Sequence, residues 1–398
     1  MESEYSKLTI DITNKLSKTE KKNGGIFITP KTIIDKLLRE VLLTVGSLEI
    51  KNILEPSAGT CEIANRANVL FPEANLDAIE FNDTIYADVS KTIDPRKINF
   101  IHADFTKWKA QNQYNLIIGN PPYVVCDKDD VPEIYREFSI GRPNLFCTFM
   151  IHSLSMLSSG GILAFIIPTS FLNSAYYAKL RNHMKKTGTI KKIINFTSDN
   201  KFIETQQATI GLIYQKHEEI VPTECNHSIK FGENFIFAVN SDDIRAVLHG
   251  STTLAKMGLT VKTGTVVWNQ HKDKLTDDQS KTLLIYNTNV AKTNTVVVKE
   301  FANDEKKQYI DMVGTTEPTI VVNRGNGNSA YKLSYAYIDG RTPYLVENHL
   351  NFIMCKTEEN AKRIMKSLTN EKTEQFVSMF LGNNGLSKTE LETIFPIY

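Results

Sequence analysis

The stretch N-L-I-I-G-N-P-P-Y, residues 115–123, joins a short apolar run to a stiff segment of polar and aromatic residues. The apolar run is typical of a buried strand, which Gly119 ends. Pro121 and Pro122 then restrict the backbone, because proline fixes φ and has no N–H group. We therefore expect a strand that leads into a rigid loop, with Asn120 at its start and Tyr123 at its end.

The residue types of this loop suit chemistry on an amino group attached to a planar ring. The lone pair of such a nitrogen is delocalised, so the nitrogen is a poor nucleophile. The Asn120 side-chain oxygen and the Pro121 carbonyl are two acceptors that can draw it toward tetrahedral geometry. Tyr123 can stack on the ring. A Pro-Pro turn with a packed tyrosine is the simpler interpretation, but the preceding strand and the following aromatic residue favour the catalytic one.

Apolar runs and helical stretches alternate on both sides of this strand. Such alternation predicts an α/β, Rossmann-like domain with a mostly parallel sheet, since parallel strands need crossover helices. The last two runs are expected to include an antiparallel pair at one edge. The runs lie at 50–54, 76–80, 98–102, 116–118, 162–167, 193–196 and 209–214.

The composition of the sequence changes toward both ends of the chain. Residues 1–22 are expected to form a polar, Lys-rich helical arm, and 30–45 a helix with Thr29 as its N-cap. After residue 217, Thr, Asn and β-branched residues increase, which predicts a second, β-rich α+β domain with a closing helix at 357–369. The expected domains are therefore 1–217 and 218–398.

Small and acidic residues follow three of the expected strands at their carboxyl ends. The loop E-P-S-A-G at 55–59 lets the backbone approach a ligand closely. Glu80 is placed to accept hydrogen bonds from ribose hydroxyls, and Asp104 with Phe105 to bind an adenine ring. Each acid alone is more often a helix cap or a surface residue. Together, the three strand ends predict a nucleoside site.

The composition limits the class of protein to which the chain can belong. The 398 residues carry a net charge of +1 and are 41% hydrophobic, as is usual for soluble globular proteins. No apolar run approaches the ~20 residues that span a bilayer, so no membrane partner is expected. The five cysteines are scattered without a metal-binding spacing. We therefore expect neither a metal site nor a disulfide framework. We expect the protein to be cytoplasmic, where cysteines stay reduced.

The order of these segments resembles the γ-class of adenine-N6 DNA methyltransferases found in type II restriction–modification systems. The resemblance covers roughly residues 22–215 and begins with G-G-I-F-I-T-P at 24–30. It implies that S-adenosylmethionine is the cofactor and that Asn120, Pro121, Pro122 and Tyr123 form the catalytic loop. The residues that it places at the cofactor are Thr29, Glu55, Ser57, Gly59, Glu80, Phe81, Asp104, Phe105, Asn120, Leu145 and Phe149.

Similar enzymes act on double-stranded DNA by turning the target adenine out of the helix. The resemblance implies that Tyr123 and Phe202 pack on the base, although Phe202 is nearly as well explained as a core residue. Residues 218–398 would recognise the DNA sequence, a role assigned by position in the chain. The candidate base-reading residues are Trp268, Asn269, Lys272, Asn323 and Arg324.

Several alternatives stay open at this point. RNA adenine and protein glutamine present the same planar nitrogen, and a methyltransferase core can also be inactive and only bind DNA. A cytosine-N4 DNA enzyme is chemically close, but that class usually has Ser where Asn120 stands. A monomer or weak dimer is expected, in a prokaryotic cell or a virus-infected host cell. A separate cognate restriction endonuclease is compatible with the sequence.

Overall fold

The computed structural model describes residues 4–196, 208–217, 226–325, 331–380 and 385–398. These residues form two compact units. The N-terminal unit comprises Met1–Ile229 and Phe235–Ser241, and the C-terminal unit comprises Lys230–Asn234 and Asp242–Tyr398.

The N-terminal unit is built on a seven-stranded sheet of the order β3-β2-β1-β4-β5-β7-β6. The neighbouring strands from β3 to β5 pair in parallel. β7 is antiparallel to both β5 and β6, as expected for the last two runs. The predicted Rossmann-like α/β class is therefore confirmed. The strands are β1 (Asn52–Glu55), β2 (Asn75–Glu80), β3 (Asn99–His102), β4 (Tyr114–Gly119), β5 (Leu157–Pro168), β6 (Gly188–Asn195) and β7 (Thr209–Lys216).

Buried side chains cover both faces of this sheet, because successive residues of a strand point to opposite sides. Leu54 and Ile117 belong to one core cluster, whereas their neighbours Ile53 and Leu116 belong to the other. The helices that complete the two layers carry apolar residues at helical spacing. They are α1 (Lys7–Lys15), α2 (Lys18–Gly24), α3 (Lys31–Val45), α4 (Glu62–Leu70), α5 (Asp83–Val89), α6 (Leu145–Met156) and α7 (Ala178–Thr187).

The order of strands changes direction between β1 and β4. The carboxyl ends of these two neighbouring strands therefore form a topological switch point. Ligands of open α/β sheets bind there, outside the carboxyl ends of the strands. Going across β3, β2, β1 and β4, the residues at or just after the strand ends are Asp104, Glu80, Glu55 and Asn120. Three interstrand steps span roughly 14 Å. An elongated ligand can therefore contact all four strand ends.

The start of α3 differs from the sequence expectation. Thr29 was expected as the N-cap, but the N-cap is Pro30, without a side-chain hydrogen bond. The Thr29 hydroxyl instead accepts a hydrogen bond from Asn120. The prediction was wrong because a partner 91 positions away in the chain competes with the local cap. The expected N-terminal arm is two short helices, α1 and α2, joined at Leu16 and Ser17.

The C-terminal unit is rich in β-structure, as predicted. Its described part contains two four-stranded sheets, one of the order β10-β17-β14-β15 and one of the order β11-β13-β12-β16. The helix expected at 357–369 is α9, and Thr357 caps it, but it does not close the chain, because two further helices follow it. Among the described residues, no helix is both long and apolar enough to cross a membrane. The remaining elements are the hairpin β8 (Ser228–Phe231) and β9 (Asn234–Phe237), the strands β10 (Val261–Thr263), β11 (Leu275–Thr276), β12 (Thr282–Ile285), β13 (Tyr309–Ile310), β14 (Thr319–Asn323), β15 (Tyr335–Ile338), β16 (Tyr344–Val346) and β17 (Leu350–Met354), and the helices α8 (Ser241–Leu248), α9 (Glu358–Leu368), α10 (Glu371–Phe380) and α11 (Lys388–Thr393).

Candidate active site

The loop between β1 and α4 adopts a conformation that favours glycine at one position. Gly59 has a φ of +52°, and no described atom would lie within 4 Å of a Cβ placed there. The Ala58 N–H donates to the Ile79 carbonyl at 2.8 Å, and the Gly59 N–H donates to Glu80 Oε2 at 2.8 Å. The loop is thus fixed against β2 while its outer side stays open to a ligand.

Glu55 stabilises this loop from within. The residue is buried, and its Oε2 accepts a hydrogen bond from the Ala64 N–H at 2.8 Å, in the first turn of α4. Burial raises the pKa of Glu55 well above its ordinary value, and the nearby carboxylates of Glu80 and Glu62 raise it further. Glu55 therefore positions the start of α4 as well as lining the cleft beside it.

Glu80 accepts two backbone hydrogen bonds at the end of β2. Its Oε1 accepts from the Asn82 N–H at 2.7 Å, and its Oε2 from Gly59. Burial raises the pKa of Glu80, and these N–H groups oppose that rise. Each carboxylate oxygen has a second lone pair. The predicted role of Glu80 in accepting from ribose hydroxyls is compatible with this geometry.

The residues expected around the cofactor's adenine fall into two groups. Phe105 is only 1% exposed and packs on Phe149, with ring centroids 4.8 Å apart. Phe81, in contrast, is 71% exposed. Leu145 is partly buried against the same core cluster as Phe149. Phe105 therefore supports the site from the core, whereas Phe81 offers a free ring at the end of β2.

Asp104 accepts hydrogen bonds from its own loop. Its Oδ1 accepts from the backbone N–H and the hydroxyl of Thr106, and its Oδ2 lies 3.0 Å from the Lys107 ammonium. Partial burial opposes ionisation, but these donors outweigh it and lower the pKa of Asp104. The carboxylate is therefore ionised at neutral pH and can accept from an amino group.

The side chain of Asn120 is oriented by the segment that precedes α3. Its Nδ2 donates to Thr29 Oγ1 at 3.0 Å and approaches the Phe27 carbonyl oxygen at 3.5 Å. Because a carbonyl can only accept, these contacts assign the nitrogen to that side of the amide. Asn120 Oδ1 is consequently directed away from Thr29 and toward the hydroxyl of Tyr123.

Tyr123 has two acceptors for one proton. Its hydroxyl lies against Asn120 Oδ1 and 2.8 Å from the Ile166 carbonyl oxygen. Burial raises the pKa of the phenol well above its ordinary value, so Tyr123 stays protonated. Its ring lies 6.2 Å from the ring of Phe27, in a stacked arrangement. The catalytic-loop residues expected from the sequence are therefore brought together with Thr29.

Gly25 supports the same loop, which sequence reasoning did not anticipate. It has a φ of +59°, and a Cβ there would lie 2.5 Å from Val124 Cγ2 and 3.0 Å from Pro122 Cβ. Gly25 also ends α2 as its C-cap. The G-G pair at 24–25 was the available signal, because a glycine often marks a left-handed residue or a close approach of two backbones.

Of the residues expected at the cofactor, Thr29, Glu55, Ser57, Gly59 and Asn120 line one cleft. That cleft is not lined by Glu80, Phe81, Asp104, Phe105, Leu145 or Phe149. Ser57 supplies a test of what it can hold. The Ser57 hydroxyl oxygen is buried and has no hydrogen-bond partner among the described residues, so the site offers an unused polar group to a ligand. The lining of the cleft includes Ile12, Thr13, Leu16, Thr29, Glu55, Ser57, Gly59 and Asn120. These residues fit a small molecule with both polar and apolar parts, as S-adenosylmethionine is.

The candidate base-reading residues have different surroundings in the C-terminal unit. Asn323 is buried and its amide bonds to Lys332, Tyr331 and Ser334. Arg324 is exposed and donates to the Asn348 carbonyl.

The other candidates lie in or beside the two 3₁₀ helices Trp268–Gln270 and Lys272–Lys274. Trp268 is half-buried and Asn269 is exposed. Lys272 forms an ion pair with Glu305. Phe202, the other predicted base contact, lies outside the described residues.

Comparison with known proteins finds similarity to methylases. Residues 53–202 match the family model described as Eco57I restriction-modification methylase. The type II methyltransferase M.CvrRI of Paramecium bursaria Chlorella virus XZ-6E is 26% identical over 98% of each chain. The modification methylase CviBIII of Paramecium bursaria Chlorella virus NC1A is 35% identical, over 45% of this chain and 46% of its own length.

A solved structure of the type IIG restriction endonuclease BpuSI overlaps with 95% of this chain and 59% of its own, at 12% identity and a TM-score of 0.43. The methylase family implies S-adenosylmethionine as the cofactor, as the sequence predicted. By the match to this family model and the full-length similarity to M.CvrRI, the chain is similar to type II restriction–modification methyltransferases.

Proposed function

We propose that the protein transfers a methyl group from S-adenosylmethionine to the N6 amino group of adenine in double-stranded DNA. We further propose that it is the modification enzyme of a restriction–modification system, as the names of its relatives suggest. The observation that carries the proposal is the fixed amide of Asn120. Its nitrogen is held by Thr29 and its oxygen is turned toward Tyr123, the side on which we place the planar amino group.

Asn120 Oδ1 and the Pro121 carbonyl would accept the two N–H bonds of adenine N6. Tyr123 can adjust to this, because its hydroxyl has a second acceptor in the Ile166 carbonyl. When its proton turns to Ile166, a lone pair of Asn120 Oδ1 becomes available to the amino group. Acceptance of both N–H bonds localises the nitrogen lone pair and makes the nitrogen a better nucleophile. No covalent bond to the protein is needed.

An adenine within a duplex cannot reach this loop, so the base has to leave the helix at a cost of a few kcal/mol. Stacking on Tyr123 would offset part of that cost, since base–aromatic stacking contributes about 1–3 kcal/mol. Asn120 and Pro121 then hold the nitrogen in line with the methyl group, at about 3–3.5 Å from its carbon.

S-adenosylmethionine supplies a methyl group that is activated by a positively charged sulfur. In our proposal Glu55, Ser57 and Gly59 hold its methionine part, Glu80 its ribose, and Asp104 with Phe81 its adenine. The ionised Asp104, whose pKa is lowered by the Thr106 and Lys107 donors, accepts from the adenine amino group. The N–C bond to the methyl group would form as the S–C bond breaks, S-adenosylhomocysteine would leave, and the N6 nitrogen would afterwards lose its extra proton to solvent. Because this transfer disperses the positive charge of the donor, no strong base has to act before the attack.

We assign DNA recognition to the C-terminal unit, with Trp268, Asn269, Lys272 and Arg324 as candidate contacts. Asn323 is the weaker candidate, because its amide is already used within the unit. The alternative substrates are RNA adenine and protein glutamine, which present the same planar nitrogen.

A methyl-transfer assay with radiolabelled S-adenosylmethionine tests the substrate class. Parallel reactions contain duplex DNA, structured RNA or a protein mixture, each with the wild type and with Asn120→Ala. We expect label in DNA with the wild type only. Loss of an oriented hydrogen-bonding group typically lowers the rate about 100- to 1,000-fold. Label in RNA or protein but not in DNA would refute the proposal, and equal transfer by Asn120→Ala would remove Asn120 from the mechanism.

A further inference from the structure

Helix α1 crosses the loop that is expected to hold the methionine part of the cofactor. Thr9, in the first turn of this helix, is completely buried. Its hydroxyl donates to a Glu62 carboxylate oxygen at 2.8 Å and lies 2.8 Å from the Thr60 hydroxyl. The Ser6 hydroxyl donates to the Thr9 hydroxyl oxygen at 2.9 Å. Thr9 thus joins α1 to the residues that directly follow Gly59.

The apolar side of α1 packs into the same region. Ile12 and Leu16 are 2% and 5% exposed and belong to the core cluster that contains Ala58 and Cys61. Both also line the cleft that contains Ser57 and Asn120. Their spacing of four residues places them on one side of the helix. The sequence shows this spacing, but it does not show which surface the two side chains cover.

Thr13 brings a polar group to the same wall of the cleft. Its hydroxyl donates to the Thr9 carbonyl oxygen at 2.7 Å, so its proton is already used within the helix. The lone pairs of the oxygen remain able to accept from a ligand. An ammonium group has three donors and is the complementary partner.

We propose that α1 is part of the cofactor site and has to detach for the cofactor to exchange. Ile12 and Leu16 enclose the methionine part, Thr13 accepts from its ammonium group, and Thr9 holds the helix closed on Thr60 and Glu62. This inference rests on the proposed function only in taking S-adenosylmethionine as the ligand. Closure by such a segment excludes water from the reacting atoms.

Calorimetry and stopped-flow binding with S-adenosylhomocysteine, which cannot react, test the inference without measuring activity. Thr9→Val removes the hydroxyl that joins α1 to Thr60 and Glu62, and Thr9→Ser keeps it. We expect Thr9→Val to raise Kd about tenfold, mainly through faster dissociation, whereas Thr9→Ser binds nearly as the wild type does. Leu16→Ala should weaken binding to a similar degree.

Ile10→Ala provides the matched control, because Ile10 lies on the same helix but is 41% exposed. It should leave Kd within about twofold, since surface substitutions have small effects. Wild-type affinity in both Thr9→Val and Leu16→Ala would overturn the inference. Failure of the wild type itself to bind S-adenosylhomocysteine would instead count against the proposed function.

Limited trypsin digestion of the wild type gives a second test that does not depend on any variant folding. Lys15, Lys18 and Lys21 lie at or just after the end of α1. Saturating S-adenosylhomocysteine should slow cleavage there several-fold, because α1 has to detach from the cofactor site before trypsin can cut the chain. An unchanged rate at these lysines, with the ligand bound, would contradict the proposed role of α1.

Discussion

The side-chain nitrogen of Asn120 donates a hydrogen bond of 3.0 Å to the hydroxyl oxygen of Thr29. The two residues are 91 positions apart in the sequence, and each lies beside a proline, Pro121 and Pro30. Together with the approach of the same nitrogen to the Phe27 carbonyl oxygen, which can only accept, the contact fixes which end of the amide is the oxygen. In the proposed mechanism, a substrate amino group would meet an acceptor that is already oriented, which lowers the cost of reaching the reactive geometry.

Replacing Thr29 by Val removes the hydroxyl while keeping the branched shape of the side chain. Asn120 Nδ2 then keeps only the Phe27 carbonyl, at 3.5 Å, and its amide can turn. We expect kcat to fall about tenfold or more, since small errors in position cost this much, while the melting temperature changes little. Thr29→Ser retains the hydroxyl and should restore most of the activity. Full activity in Thr29→Val, in steady-state assays with DNA, would show that this contact does not orient Asn120.

Gly25→Ala tests whether the C-cap of α2 supports the catalytic loop. The new Cβ would collide with Val124 and Pro122, and the positive φ adds strain. Gly258→Ala is the matched control, because Gly258 also has a positive φ, of +69°, but no described atom within 4 Å of a Cβ. The residue after each glycine donates a backbone hydrogen bond five residues back, Ile26 to Lys21 and Leu259 to Leu254, as at a left-handed helix end. We expect Gly258→Ala to lower the free energy of unfolding by about 1–2 kcal/mol, without changing kcat.

Gly25→Ala should lower the free energy of unfolding by about 2 kcal/mol more, through overpacking, and should reduce kcat as well. Denaturant unfolding and turnover measured on both variants make the comparison. Equal losses of stability in the two variants would mean that Gly25 contributes only its backbone conformation.

Glu80→Gln should weaken cofactor binding, because an amide offers one acceptor oxygen where the carboxylate offers two. For the wild type, a ligand that donates hydrogen bonds to the carboxylate requires its ionised form. Burial raises the pKa of Glu80, so affinity should begin to fall, as the pH is lowered, above the ordinary pKa of a glutamate. Calorimetry with S-adenosylhomocysteine over a pH series measures this. An affinity that does not change with pH in the wild type would exclude Glu80 from the ribose site.

Glu55→Gln tests the buried carboxyl at the start of α4. Burial raises the pKa of Glu55 in the folded state, so the folded protein keeps this proton at pH values where the unfolded chain has lost it. The free energy of unfolding should therefore fall as pH rises from the ordinary glutamate pKa to the raised one. A glutamine oxygen can still accept from Ala64. We expect Glu55→Gln to lack that part of the pH dependence in thermal melts and to be as stable as the wild type or more so at neutral pH.

Much of the N-terminal unit is predictable from the sequence because the signals are local. Apolar runs that end in Gly, Asn or acidic residues mark strands of a parallel sheet, and the fold then carries their ends to one edge. Glu55, Glu80, Asp104 and Asn120 reach that edge for this reason.

The features that the sequence does not predict depend on contacts between segments that are far apart in the chain. The Thr9 hydroxyl contacts the Thr60 hydroxyl, 51 positions away in the sequence. Thr29 is bonded to Asn120, 91 positions away. A polar, Lys-rich sequence around Thr9 gives no sign of which surface it covers. In the C-terminal unit, the composition around Asn323 suggested an exposed, base-reading amide, but the side chain is buried with its hydrogen bonds satisfied.

The most direct measurement of the central claim is the identity of the methylated nucleoside. Duplex DNA is incubated with the protein and S-adenosylmethionine carrying a trideuterated methyl group, digested to nucleosides and analysed by mass spectrometry. Deuterated N6-methyladenine should form with the wild type and be at least about 100-fold less abundant with Asn120→Ala. Deuterated N4-methylcytosine, or no methylated nucleoside from a protein that binds the cofactor, would contradict the assignment.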